Sequence, residues 1–214
     1  MIEPVLLLHG YDSKPSGLGD LAGRLGERAE LVAGFEDLAE ENFAWWLDDL
    51  SVEGRQDLTE YLNEVSFEAS RALHASKVSG LVGMLSSKSA VTEPHSVAVV
   101  GFSQGAAAAL SWLLDSERQI PISMIVAVAG FLPDLAEQVL RDQALLNQVL
   151  PAVQIHVVHL SVDEVVDAMV SERASRLLSK AGFIVTDHYV DGPHSWSPRL
   201  TELVVQLTGS PRSA

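Results

Sequence analysis

The strongest constraint on this chain is a set of short apolar runs that do not alternate with polar residues. Pro4-Val5-Leu6-Leu7-Leu8 stops at His9-Gly10, Ser96-Val97-Ala98-Val99-Val100 stops at Gly101, and Met124 to Ala129 stops at Gly130. A strand with one wet face alternates, whereas a strand covered on both faces reads as a continuous apolar run. Gln154 to Leu160 and Phe183 to Val190 predict two more strands, and Leu31 to Ala33 a short one on the same sheet. Helical patterns lie between them at Leu18–Arg28, Leu58–Leu85, Ala106–Leu114, Leu135–Val149, Val166–Ala181 and Pro198–Leu207, the fifth ending at Gly182. Strand–helix alternation of this kind predicts a largely parallel α/β sheet with helices on both faces. Residues 1–208 are expected to form a single domain, with 209–214 a polar C-terminal tail.

Composition narrows the function. The 214 residues are 47% hydrophobic and 20% charged, enough apolar material for a large core. Twenty-nine acidic against 14 basic side chains give a formal charge of −15. Such a surface repels phosphate backbones and anionic headgroups, so no nucleic-acid or membrane-surface partner is expected. The chain has no cysteine, which excludes disulfides, a thiolate nucleophile and zinc–thiolate sites. Met1 to Leu8 carries Glu3 and no basic run, which predicts no secretory signal. No apolar window is long enough to span a bilayer. A cytoplasmic protein is expected, and a homodimer is compatible with it.

The segment Phe35 to Val65 stands apart, with ten carboxylates against the single cation Arg55 and with Phe43, Trp45 and Trp46 among them. It reads either as a solvated connection whose aromatics turn into the core, or as a wall beside a binding cleft.

Chemistry concentrates at Gly101-Phe102-Ser103-Gln104-Gly105. The motif follows a predicted strand and opens a predicted helix, the setting a nucleophile elbow requires. Glycines two residues before and after the serine relieve contacts in a tight turn, and the small run Ala106 to Ala109 lets the helix pack closely. A serine hydroxyl needs a base, and the base an orienting carboxylate, in the chain order serine, acid, histidine. Asp163 follows the strand Gln154–Leu160, and His194 follows the strand Phe183–Val190 in a Gly192-Pro193 turn. Ser103, Asp163 and His194 are therefore the expected triad. Asp167 is expected inside the following helix, Glu164 to point away, and Asp191 to lie too near His194 along the chain.

An oxyanion needs two converging donors. The backbone N–H of Gln104 is one candidate and that of Tyr11, in the loop after the first strand, the other. His9 reads as a buttress of that loop. His156 and His159, three apart on a strand, face opposite sides, so no metal site is expected. His74, His95 and His188 receive no role.

The chain resembles the phospholipase/carboxylesterase group of small α/β-hydrolases, which includes the acyl-protein thioesterases. The matching stretches are Leu8-His9-Gly10, Gly101-Phe102-Ser103-Gln104-Gly105, Ala129-Gly130-Phe131-Leu132-Pro133, His159 through Val166, and Gly192-Pro193-His194. The resemblance implies an α/β-hydrolase fold, with a mostly parallel central sheet of about six or seven strands, helices on both faces and no separate lid domain. It implies Ser103, Asp163 and His194 as triad, Tyr11 and Gln104 as oxyanion donors, and no cofactor. Two departures stand out: His159-Leu160 replaces His-Gly before the acid loop, and Trp45-Trp46-Leu47-Asp48 stands where relatives end in Trp-Phe-Asp. The expected function is a carboxylesterase acting on a small-molecule acyl ester through an acyl-enzyme. The alternatives are a thioesterase or lysophospholipase with long acyl substrates and, more remotely, a non-catalytic interaction protein keeping the fold. Trp45, Trp46, Phe131, Leu132 and Trp196 are candidate pocket residues, with core packing as the competing reading for each.

Overall fold

The structure, a computed structural model, describes residues 3–34, 36–37, 41–45, 96–114, 121–132, 134–141 and 153–209. The expected helix Leu58–Leu85, Trp46, His74, His95, most of the acidic segment and the second half of the expected helix Leu135–Val149 lie outside these residues.

In chain order the elements are β1 (Val5–Leu8), α1 (Gly19–Leu25), β2 (Ala29–Val32), β3 (Glu36–Asp37), β4 (Phe43–Ala44), β5 (Val97–Phe102), α2 (Gln104–Leu114), β6 (Ile122–Val128), α3 (Asp134–Arg141), β7 (Gln154–Leu160), α4 (Ala168–Lys180), β8 (Ile184–Val190) and α5 (Pro198–Gly209). Six of the strands form one sheet in the order β2-β1-β5-β6-β7-β8, and every neighbouring pair is parallel. β3 and β4 make a separate two-stranded antiparallel ribbon.

The unbroken apolar runs are explained by how their residues divide between two cores. Leu6, Leu8, Val97, Val99, Ile125, Ala127, Ile155 and Val157 pack with residues of α2, α3 and α4. Val5, Leu7, Ala98, Val100, Met124, Val126, Val128, Val158 and Leu160 pack with α1 and α5. Successive residues of each strand thus enter opposite cores, and both faces are dry. Each fully buried aliphatic side chain contributes about 2 kcal/mol of transfer free energy.

α2 is buried along its whole length, Gln104 to Leu114, which is why its sequence is apolar all round rather than striped. It sits close against the sheet. A Cβ on Gly101 would lie 2.5 Å from Ala106 Cα, and one on Gly105 would lie 2.4 Å from the carbonyl oxygens of both Leu8 and His9. Only glycine permits that approach, because all of these obstacles are backbone.

Several boundaries differ from the sequence expectation. β5 runs through Gly101 to Phe102, held by pairing of Gly101 with Ala127 and Phe102 with Val128, so Ser103 follows the strand without a gap. The expected helix Leu18–Arg28 is a regular helix only over Gly19–Leu25, with short 3-10 turns on either side. Asp167 is not inside α4: it is the N-cap, its carboxylate accepting the Met169 N–H at 2.8 Å.

Replacing Gly105 by alanine should lower the unfolding free energy by about 3 kcal/mol or more, since the end of β1 would have to move. Gly17, whose Cβ would meet nothing within 4 Å, is the control. A urea midpoint for Gly105→Ala equal to that of Gly17→Ala would contradict the packing described.

Candidate active site

Parallel pairing brings the carboxyl ends of the strands to one rim, and hydrogen bonds continue the ladder past them. Ser103 N–H donates to Val128 O at 2.9 Å, Ala129 N–H to Val158 O at 2.9 Å, and Ser161 N–H to Val190 O at 3.1 Å. Ser103 therefore leaves β5, Asp163 leaves β7 and His194 leaves β8 on the same side of the sheet.

Ser103 occupies the turn between β5 and α2 with φ +53°, a left-handed backbone that serine rarely adopts. Strain of that kind costs about 1–3 kcal/mol and persists only where the surroundings impose it. The ladder bond of its N–H and the acceptance of the Ala106 and Ala107 N–H groups by its carbonyl impose it here.

Asp163 is bound from three sides. Oδ1 accepts the Val165 and Val166 N–H groups, both at 2.8 Å, and Oδ2 lies 2.7 Å from His194 Nδ1. Its side chain is 1% exposed and that of His194 13%. The carboxylate can thus fix the imidazole with Nδ1 protonated, leaving Nε2 as the basic nitrogen.

β8 is three strands from β5, roughly 14 Å away. The loop after β8 must fold back over β7 and β6 to bring His194 near the serine, and Phe102 shows that it does. Its ring lies 4.9 Å from the His194 ring, and Trp196 meets it edge-on at 5.9 Å. Among the described residues no hydrogen bond joins Ser103 Oγ to His194, whose ring sits instead against Phe102, the residue before the serine. The sequence assigned Phe102 no role, and its only signal was its place inside the elbow motif.

The loop after β1 is held from below. His9 is buried, its Nδ1–H donating to Gly10 O at 2.6 Å and its Nε2 accepting the Gly34 N–H at 2.8 Å. Burial pushes its pKa below the ordinary imidazole value, outweighing the opposing effect of the Gly10 hydrogen bond. Trp45 packs on His9 with ring centres 5.3 Å apart, and its indole N–H donates to His9 O at 2.7 Å. The Trp45 backbone N–H donates in turn to Gln104 Oε1 at 2.9 Å. One chain of contacts thus joins the Tyr11 loop, the ribbon and the first residue of α2, and the side chain of Gln104 takes part in it.

Tyr11 is half exposed at the rim, and Gln104 opens α2, at the positive end of its dipole. Trp45, Phe131 and Leu132 are buried within the core, while Trp196 is half-buried with its indole N–H on Thr201 Oγ1 at 3.0 Å. Asp191 and Glu164 are exposed, and Asp191 faces Arg199 at 3.7 Å.

His156 and His159 do face opposite sides of the sheet. His156 Nδ1 is 3.1 Å from His188 Nε2, and burial lowers the pKa of both. His159 turns to the other face, toward α4. No group of three or more His, Asp or Glu able to hold a metal occurs among the described residues. No helix among them is long and apolar enough to cross a membrane.

A parallel six-stranded sheet with helices on both faces, and a strained serine between the third strand in spatial order and a buried helix, defines an α/β-hydrolase. Solved structures share this fold. Esterase PE8 superposes with a TM-score of 0.71 at 21% identity, over 96% of this chain and 91% of that one. The carboxylesterase from Mesorhizobium loti gives 0.69 at 18%, over 99% and 90%. Acyl-protein thioesterase 2 from Zea mays gives 0.65 at 19%, over 97% and 92%. No curated protein matches the chain. The phospholipase/carboxylesterase family model matches residues 56–207, and the chain belongs to that family and so to the carboxylic ester hydrolases.

The depressed pKa values of His9, His156 and His188 set the sign of a pH effect. The unfolded chain takes up protons first, near pH 6.5, so stability is lost as pH falls below that value toward the folded-state pKa values. Protonation of His9 Nε2 would also break the Gly34 bond. The urea midpoint should decline between pH 7.5 and 5.5, and less steeply in His9→Gln. A midpoint flat across that range would refute this account.

Proposed function

We propose that the protein is a serine carboxylesterase in which Ser103, His194 and Asp163 act as the triad and the backbone N–H groups of Tyr11 and Gln104 bind the oxyanion. The observation that carries the reading is the buried Asp163–His194 hydrogen bond of 2.7 Å on the same rim as a serine held at φ +53°.

In this mechanism His194 Nε2 takes the Ser103 proton as Oγ attacks the acyl carbon of a small-molecule ester. Negative charge develops on the carbonyl oxygen, where the Tyr11 and Gln104 N–H groups and the positive end of α2 stabilise it. His194 then passes its proton to the leaving alkoxide, giving the acyl-enzyme and free alcohol. Water deprotonated by the same nitrogen attacks the acyl carbon, and Ser103 regains its proton as the carboxylic acid leaves. Asp163 keeps Nδ1–H oriented and stabilises the imidazolium formed at each step. The charge of −15 disfavours polyanionic acyl carriers and so favours neutral esters over acyl groups carried on phosphate-bearing thiols.

Ser103→Ala should lower kcat on a short-chain aryl ester by about 10⁴-fold or more while the melting temperature stays within a few degrees. Wild-type enzyme should be labelled by a fluorophosphonate at Ser103 alone. Retained turnover in Ser103→Ala, or labelling elsewhere, would overturn the assignment. His194→Gln should lower kcat on the same ester by a comparable factor, and retained turnover in that variant would exclude an imidazole base.

A further inference from the structure

We propose that His159 is a positioning residue for this site: it ties the loop carrying Asp163 to the strand that delivers His194. The inference rests on the triad reading above and adds to it a part-buried network on the α4 face of β7.

His159 is the penultimate residue of β7 and is 1% exposed. Its Nδ1 lies 2.7 Å from Ser171 Oγ, early in α4, and its Nε2 lies 2.8 Å from Asp187 Oδ1 on β8. Tyr189 stacks on the ring at 4.8 Å. The first bond closes the base of the segment from 159 to 171, within which lie Asp163 and the two amides that bind it. The second reaches the strand whose exit leads to His194. One imidazole therefore fixes three elements, β7, α4 and β8, on which the acid–base pair depends.

The clamp holds in either protonation state of the ring. With Nδ1 unprotonated, the Ser171 hydroxyl donates to it and Nε2–H donates to Asp187. With both nitrogens protonated, Nδ1–H donates to Ser171 Oγ, whose hydroxyl turns to Ala168 O at 3.1 Å. Both arms survive in either state.

The clamp bears on catalysis because the two loops touch. Val162 N–H donates to Gly192 O at 3.3 Å and Ser161 N–H to Val190 O at 3.1 Å, immediately before the acid and just ahead of the histidine turn. A shift of β7 or α4 against β8 passes directly into the Asp163–His194 geometry, where misplacement of about 1 Å can cost about 10²-fold in rate.

The test uses Ser171→Ala, which removes one arm without changing charge, and the pair Asp187→Ala and Asp187→Asn. Asp187 is 40% exposed on the edge strand, so its variants leave the core intact. Both alanine variants should lower kcat about tenfold with KM within twofold and the melting temperature within a few degrees. They should also weaken or broaden the downfield His194 Nδ1 proton resonance and speed exchange of the Val165 and Val166 amides. Asp187→Asn, which can still accept from Nε2–H, should recover most of the loss. Unchanged kcat and an unchanged His194 resonance in both alanine variants would overturn the proposal while leaving the triad standing. Wild-type turnover that does not depend on Ser103 would overturn the triad reading and this inference with it.

Discussion

Everything in this molecule depends on the in-register, all-parallel pairing of its central strands. Parallel strands end together, so a residue just past each end falls on one rim without further arrangement. The ladder bonds that continue beyond β5, β6 and β7 carry that register into the loops. The rim is set by backbone hydrogen bonding, which is largely indifferent to side chains, while the loops supply the chemistry. This separation is why Ser103 can be held in an unfavourable conformation: its N–H belongs to the ladder and its carbonyl to the helix, and neither can relax without loss to the whole sheet.

The side proposed to hold the oxyanion follows a different logic. β1 contributes only its end, and the loop beyond it is supported by packing of rings, by side-chain hydrogen bonds and by an antiparallel bridge between Ser13 and Phe43. His9, Trp45 and the side chain of Gln104 are linked by hydrogen bonds in a dry environment. Such bonds are strong because water cannot compete, and costly if one member is lost. A loop held in this way is aligned with α2 through Gln104, so the two backbone N–H groups proposed for the oxyanion belong to one connected unit.

Much of this was legible in the sequence because it is local. Unbroken apolar runs reported strands covered on both faces, and the glycines of the elbow reported close approach of α2, since each is a statement about a residue and its immediate neighbours. The ends of β5 and the capping role of Asp167 were less legible, because both depend on whether a partner strand or a first helical turn continues by one or two residues. The His159–Ser171–Asp187 network was not legible at all. Its members are 12 and 16 residues apart, on a strand, a helix and an edge strand, and each taken alone is an ordinary polar residue. Phe102 was hidden for the same reason: its partner His194 lies three strands away and returns only through the fold of its loop.

The acid proposed for the triad shows how burial distinguishes similar groups. Asp191, Glu164, Asp167 and Asp163 all lie near the rim in sequence, and the first three are exposed. Two of them are engaged elsewhere, the Asp167 carboxylate with the Met169 N–H and Asp191 with Arg199. Asp163 has lost its water, which would be prohibitive without replacement. The Val165 and Val166 amides and His194 Nδ1 replace it, three donors on two oxygens. Because the amides come from the loop's own turn, they hold the carboxylate independently of the histidine. In the proposed mechanism an imidazolium formed opposite it meets a charge that water does not shield, and no solvent has to reorganise as the proton moves. The same burial that excludes Asp163 from any solubilising role suits it to stabilise a transient positive charge.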